Sequence, residues 1–415
     1  MEKKTALQSI IDHAYKTVPY YKELFDSLGF KPNQISTNGD LHKIPVLHKS
    51  QIQRCPEIFL STLYRKENLK TDITSGSTGR PLIIYKTKQD KTYQGISLWN
   101  IRSRIYNVLP SSKYCRFHFL GNDTNLKKVN LIINNDKVLS FCKLNFSKDS
   151  LELYTEKMIE FEPVWLFGNA KSWCSIAKFI DANLYKPPRS IKYIECTGSE
   201  FTRSCRRKIE ETFQCQVVDH YGCNETYGIA IECPKGNLHC LGNNVVVEVL
   251  KDGKVVDYGE EGEIVITGLN NYAMPFIRYA LGDIGTLYPA GNCSCGNRNP
   301  VIKVYAGRVS DIVYFKDREP LPSGIFYYAI ERLTKLDGFL ILQFKVIQES
   351  FTRFRILLEL GENQTSNELK IKERFLEEMA KFDLDKLDWG FEFVDEVMSD
   401  EVTGKLQYFF SKVNG

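Results

Sequence analysis

Between residues 164 and 222 the chain alternates strand-like and helix-like runs, and no other feature restricts its fold as much. Residues 170–184 set Trp173, Ile176, Ala177 and Ile180 on one helical face. Pro187-Pro188 stops that run, because proline has no amide hydrogen to give a helix. Residues 191–196 then read as a strand, 201–213 as a helix and 215–220 as another strand. Strands joined through helices pair in parallel, so the chain belongs to the α/β class. The alternation begins near residue 70, after a short helix ending at Val18-Pro19 and a loop around Pro32 and Asn33.

Beyond residue 240 the local signals change. Residues 245–250 and 255–256 flank Lys251-Asp252-Gly253-Lys254, where Asp-Gly supplies the positive φ angles of a tight hairpin. Residues 263–267 continue the β character, which suggests a smaller antiparallel subdomain or barrel. The last hundred residues read as a separate α+β unit. It has helices at 323–333 (Phe326, Ala329, Ile330, Leu333) and 368–382 (Phe375, Met379, Phe382), with strands at 340–347 and 354–360. A linker is expected at 307–311.

Composition narrows the class of function. A hydrophobic fraction of 43% is enough for a large core and excludes wholesale disorder. Lysine and arginine total 55 against 51 acids, a net charge of +4, and this small surplus gives no reason to expect a nucleic-acid or membrane-surface partner. No run approaches the ~18 apolar residues of a spanning helix. Residues 1–16 contain Asp12 and lack the apolar core of a signal peptide, so a cytoplasmic protein is expected. In that compartment the 12 cysteines are reduced thiols, some of them available to a metal.

The densest chemical signal is Thr74-Ser75-Gly76-Ser77-Thr78-Gly79-Arg80-Pro81. Glycines leave backbone N–H groups open, hydroxyls add donors and Arg80 adds charge, so such a loop can wrap phosphate oxygens. An ordinary Ser/Gly turn is the alternative. The spacing is not that of a P-loop NTPase. Thr197-Gly198-Ser199-Glu200 and Tyr221-Gly222-Cys223-Asn224-Glu225-Thr226 each follow an expected parallel strand, at the strand ends where open α/β sheets bind ligands. Glu225 can offer a carboxylate to Mg²⁺; plain strand-to-helix turns are the alternative. Arg278-Tyr279-Ala280-Leu281-Gly282-Asp283 and Gly307-Arg308-Val309-Ser310-Asp311 contain an acid for ribose hydroxyls and an arginine for ribose or phosphate oxygens. Thr403-Gly404-Lys405 presents a late lysine, which by itself is an ordinary solvated residue.

Cysteines cluster in two Gly/Pro/Asn-rich stretches. Cys233, His239, Cys293 and Cys295 make a Cys₃His set suited to tetrahedral zinc. Cys240 competes with His239, and unligated thiols are the alternative. Cys223 has no adjacent histidine that would make it a nucleophile.

The order of these pieces, from the Ser/Thr/Gly loop to the late Gly404-Lys405, resembles the adenylate-forming superfamily. Within it the chain resembles the phenylacetate–CoA ligase family and especially its capsular-polysaccharide (CapK-like) branch. The resemblance covers nearly the whole chain, including Val18-Pro19-Tyr20-Tyr21 and Ala273-Met274-Pro275-Phe276-Ile277-Arg278-Tyr279.

This resemblance implies an α/β fold with a large multi-subdomain adenylation domain over 1–308 and a small mobile α+β domain over 309–415 carrying Lys405. The implied reaction uses ATP and Mg²⁺ to turn a carboxylic acid into an acyl-adenylate, releasing pyrophosphate, before acyl transfer to a thiol (CoA) or an amine. By motif match Ser75, Gly76, Ser77, Thr78 and Gly79 hold the pyrophosphate end, and Gly198, Ser199 and Glu200 line the adenine. Tyr221, Gly222 and Asn224 border the acyl-adenylate, Glu225 binds Mg²⁺, Asp283 holds the ribose and Arg308 assists. Lys405 bridges carboxylate and phosphate oxygens until a hinge rotation removes it. Some relatives hold structural zinc at the position of the Cys₃His set. Many carry an acidic pair where this chain has Ser310-Asp311, which leaves the pivot residue open.

The acyl pocket falls within 114–145 and 165–170, with Tyr114, Phe117, His118, Phe119, Trp165 and Phe167 as candidates, though such aromatics also make core. The branch suggests surface-polysaccharide or secondary-metabolite synthesis by a monomer or homodimer. The competing readings are a degenerate, non-catalytic nucleotide-binding scaffold and a zinc-containing binding protein.

Overall fold

The computed structural model describes residues 5–29, 31–73, 82–118, 133–134, 136–142, 145–198, 202–291, 293–308, 311–361, 364–398 and 407–413. By packing the chain divides into two compact units, Met1–Leu109 with Asp219–Val304, and Pro110–Val218 with Tyr305–Gly415. This grouping follows contact in space, whereas the expected division at residue 308 concerns motion. Among the described residues no helix is long and apolar enough to cross a membrane.

The first unit opens with α1 (Ala6–Thr17), where Thr5 and Gln8 cap each other's backbone N–H. The chain turns at Val18, and Pro19 opens a second helix, α2 (Pro19–Ser27), rather than ending the helical region. Proline suits that first position because no hydrogen bond is asked of its nitrogen there. A short α3 (Lys49–Arg54) follows, then an antiparallel pair, β1 (Lys70–Ile73) and β2 (Ile83–Lys86), which forms the stem of the Ser/Thr/Gly loop. Helix α4 (Lys88–Tyr106) buries Asp90, Gln94, Ser97 and Arg102 beside Leu98. A polar buried face leaves no apolar stripe, which is why periodicity does not reveal this helix.

The second unit begins with β3 (Tyr114–His118), β4 (Ile133–Asn134), β5 (Val138–Cys142), α5 (Lys148–Phe161), β6 (Trp165–Gly168), α6 (Ala170–Ala182), β7 (Tyr193–Thr197) and α7 (Arg203–Phe213). Strand β3 pairs in parallel with β5 and β6, and β6 with β7, as the alternation predicts. Leu166 and Ile194 on the strands pack against Trp173 and Ile176 of α6 and Ile209 of α7.

Strand β8 (Gln216–Cys223) carries the chain back into the first unit, and here the structure departs from the expectation. Tyr221 and Gly222 lie in the strand itself, and β8 turns directly into β9 (Tyr227–Glu232), with Tyr221 opposite Ala230 and Gly222 opposite Gly228. The motif is therefore an antiparallel hairpin rather than a strand-to-helix loop. Glycine is required at 222, since a Cβ there would lie 2.0 Å from the Tyr227 carbonyl oxygen.

The first unit continues with β10 (Leu238–Cys240), β11 (Val245–Lys251), β12 (Lys254–Val255), β13 (Glu261–Gly268), β14 (Tyr279–Tyr288) and β15 (Val301–Arg308). The strands run in the order β12-β11-β13-β14-β15-β10-β9-β8, an open antiparallel arrangement rather than a closed barrel. Asp252 and Gly253 take the positive φ angles expected of the hairpin. Ile264, Ile266, Phe276 and Ile277 share a core with Ile10, Tyr21 and Phe25 of the N-terminal helices.

The rest of the second unit holds β16 (Ile312–Val313), β17 (Leu321–Pro322), α8 (Gly324–Leu336), β18 (Ile341–Gln348), β19 (Arg353–Leu360), α9 (Glu368–Ala380), β20 (Asp388–Val394) and β21 (Phe409–Ser411). Its sheet order is β20-β19-β18-β21, and Phe326, Ile330, Phe344, Phe354 and Phe375 form its core. Gly307 and Arg308 belong to strand β15, so the expected linker begins no earlier than residue 309.

Candidate functional site

Three stretches far apart in the sequence meet in the first unit. At the β8–β9 turn, the Asn224 Nδ2 donates to the carbonyl of Ile73 at 2.8 Å, and Ile73 is the last residue of the strand entering the Ser/Thr/Gly loop. The Tyr221 hydroxyl donates to the Asp283 carboxylate at 2.8 Å. Asp283 sits within strand β14 rather than in a turn, just after Gly282, whose φ is +78°.

The turn is fastened at its carbonyls. Lys86 Nζ donates to Asn224 O at 2.6 Å, Gln94 Nε2 to Glu225 O at 3.1 Å, and Asn244 Nδ2 to the carbonyls of Thr226 and Gly228 at 2.7 and 2.6 Å. Glu225 is buried, and its carboxylate is a hard oxygen donor of the kind Mg²⁺ takes. Burial and the nearby Glu225 carboxylate push the Cys223 thiol far up, which leaves it without nucleophilic thiolate.

The other expected residues are spread along the chain. Ser75, Gly76, Ser77, Thr78, Gly79, Ser199, Glu200 and Lys405 lie outside the described residues. Gly198 follows β7 at a φ of +86°, and Arg308 ends β15. Among the aromatic candidates Phe117 belongs to the core beneath α6, its ring 4.8 Å from that of Trp173. Trp165 stacks between Tyr114 and Tyr193 at 4.6 and 5.9 Å. Phe119 lies outside the described residues.

Cys233, His239, Cys293 and Cys295 converge, with one ligand atom from each lying within 4.8 Å of all the others. The Cys233 and Cys293 sulfurs are 3.7 Å apart, and Cys295 Sγ is 3.2 Å from His239 Nε2. Around a tetrahedral ion with Zn–S of about 2.3 Å, two sulfurs would be separated by about 3.8 Å, so the set fits zinc. His239 Nδ1 lies 3.2 Å from the carbonyl of Asn299, which selects the tautomer that turns the Nε2 lone pair toward the thiols. Cys240, the competitor, is buried in the main core instead. Backbone and histidine hydrogen bonds draw the Cys293 thiol down to about 6, while burial holds Cys233 up at about 11.

No protein-family model matches the chain. It is 23% identical over 335 residues to a phenylacetate–coenzyme A ligase of Pseudomonas putida, covering 76% of this chain and 72% of that one. It is 20% identical over 407 residues to Protein CapK of Staphylococcus aureus, covering 94% and 85%. Among solved structures, a 2-hydroxyisobutyryl-CoA ligase in its postadenylation state, bound to an acyl-AMP, is similar with a TM-score of 0.73 and 15% identity, over 98% of this chain and 88% of that one. The expected resemblance to the adenylate-forming superfamily, and within it to the phenylacetate–CoA ligases and CapK, is thus met in sequence and in fold. The α/β architecture agrees with the expected fold class.

Sequence reasoning missed the residues that brace the site. Lys86, Gln94 and Asn244 occur in no motif, and each is a polar residue buried to 1% exposure or less. The available signal was weak: polar residues at positions 86, 90, 94 and 97, beside Ile84, Tyr85 and Leu98, where an apolar face would be expected.

Proposed function

We propose that this adenylate-forming chain is an ATP-dependent ligase. A carboxylate oxygen of its substrate attacks the α-phosphorus of ATP, the bond to the β-phosphate oxygen breaks, and acyl-adenylate and pyrophosphate form. A thiol or amine then attacks the acyl carbon and AMP leaves. The thiol of CoA is the favoured acceptor, since the relatives include phenylacetate–coenzyme A ligases. In this reading the chain works in the cytoplasm, in surface-polysaccharide or secondary-metabolite synthesis, the setting that the CapK-like resemblance implies. The convergence of Asn224 on Ile73 and of Tyr221 on Asp283 carries the proposal, because it gathers the phosphate-loop stem, the hairpin turn and the ribose acid in one unit.

In this proposal Ser75–Gly79 surround the β- and γ-phosphates, and Gly198, Ser199 and Glu200 border the adenine. Asp283, steadied by Tyr221, takes the ribose hydroxyls with help from Arg308. Glu225 would hold Mg²⁺, which supplies charge neutralisation on the phosphate oxygens. Lys405 adds a positive charge where carboxylate and phosphate meet. Residues 309–415 move as a domain to exchange Lys405 for the acceptor. Cys233, His239, Cys293 and Cys295 would hold a structural zinc, since four protein ligands leave no position for water. The test supplies a panel of aryl, aliphatic and amino acids with ATP and Mg²⁺ and measures products. Pyrophosphate and AMP are expected; ADP with phosphate in stoichiometric yield would sink the mechanism.

A further inference from the structure

Lys86 ends strand β2, immediately after the Ser/Thr/Gly loop, and its side chain is fully buried. Its ammonium meets three groups that favour a cation. Asn224 O is 2.6 Å away, Asp72 Oδ2 is 3.3 Å away, and the ring of Tyr227 lies beneath it with its centroid at 4.3 Å. Asp72 is itself shared, since Lys91 Nζ is 2.8 Å from its other oxygen. Burial draws the Lys86 ammonium below the usual lysine range and the Asp72 carboxylate opposes that shift.

An apolar side chain of similar length would fill this space without taking a charge out of water, so packing alone does not explain a lysine. What a cation adds here is a link. Asp72 lies on the strand leading into the loop, Lys86 closes the strand leading out, and Asn224 directly precedes Glu225. Asn224 returns the contact through its own Nδ2 to Ile73 O. The two stem strands and the Glu225 turn are thus tied in both directions. Gln94 and Asn244 hold the remaining turn carbonyls, as neutral donors from other elements. Lys86 is the charged member of the clamp, and it joins the turn to the outgoing strand of the loop stem.

We infer that Lys86 is a positioning residue: it sets the register between the phosphate-loop stem and Glu225, so that a cation on Glu225 and the phosphates in the loop meet without rearrangement. This rests on the adenylation reading above. A residue in this role affects the metal-dependent part of nucleotide binding, which a general packing role would not single out.

The experiment measures the affinity of the full chain for ATP by calorimetry, once with excess Mg²⁺ and once in EDTA. In Lys86→Met the affinity for Mg·ATP should fall about tenfold or more, the scale of one lost charge-assisted hydrogen bond. Affinity for ATP in EDTA should change by less than about threefold, with an unchanged circular dichroism spectrum. Lys86→Gln, which keeps an N–H donor for the Asn224 carbonyl, should recover part of the loss. It also answers the question should the methionine variant not fold. Equal losses in both conditions, no loss in either, or failure of both variants to fold would overturn the assignment. A wild-type chain that binds no Mg·ATP would overturn the adenylation reading itself, and Lys86's role with it. Normal wild-type binding with unaltered variants would overturn only the role of Lys86.

Discussion

Arg278 shows how a motif residue acquires its meaning from its neighbours. It holds a φ of +50°, its Nε lies 3.2 and 3.1 Å from the two Glu248 oxygens, and its Nη1 reaches the carbonyl of Ile44 at 2.6 Å. Both side chains are buried, and the Leu47 N–H donates to the Arg278 carbonyl at 2.8 Å. The pair therefore pins the segment around residues 44–47 to strand β14, and this arginine serves the fold. Glu248→Leu leaves the guanidinium buried with only carbonyls to answer it, so a loss of about 3–5 kcal/mol is expected in denaturant unfolding. Adding Arg278→Met should recover much of it. If the single variant unfolds at the wild-type denaturant concentration, the pair contributes nothing to stability. From sequence Arg278 could be matched to a motif, but its partner 30 residues away could not be seen.

Elements supply the proposed metal ligands in pairs. Cys233 lies in the β9–β10 connection and His239 in β10, where it pairs with Val301 of β15, while Cys293 and Cys295 lie in the β14–β15 connection. The sheet thus brings these segments together, and among the described residues Val301, Tyr288 and the cysteines themselves make up the small local core. A cluster this small cannot order two loops without help. We expect about one zinc per chain by elemental analysis, since all four groups are ligands zinc accepts. Cys293→Ser should lower the melting temperature by several degrees, because binding of the proposed zinc would be coupled to folding. The nucleotide affinity of the surviving folded protein should change little. Protein purified without chelator that holds less than about 0.2 zinc per chain and melts normally would return these residues to ordinary thiols. The sequence sufficed to pick out four residues that converge, because cysteine and histidine side chains are scarce and chemically narrow.

For the whole molecule, the proposed adenylation draws on residues widely separated along the chain. In sequence Lys405 follows β20, whereas Glu225 and Asp283 belong to the first unit. Lys405→Ala should slow adenylation by about 10²-fold, corresponding to roughly 3 kcal/mol of transition-state charge contact, while ATP binding changes little. Single-turnover pyrophosphate release compared with equilibrium ATP binding separates the two. A variant that adenylates at the wild-type rate would reduce Lys405 to a surface lysine.

The alternation of 164–222, the Asp-Gly hairpin and the C-terminal helices were legible in the sequence because each rests on local rules: periodicity, turn angles and the missing amide of proline. The four converging Cys and His residues were legible as residue types with few other uses. Tertiary structure alone decided that Tyr221-Gly222 lie in an antiparallel strand, since pairing direction depends on a partner chosen elsewhere in the chain. It alone revealed α4, whose buried face is polar because it serves Glu225 O, Tyr272 N and Ala273 N rather than an apolar core. It alone buried Lys86, because the cost of hiding a charge is met by Asp72, Asn224 and Tyr227, which approach from other segments of the chain. Local chemistry is written residue by residue, but the compensation of a buried polar group is a sum over neighbours, and the fold chooses the neighbours.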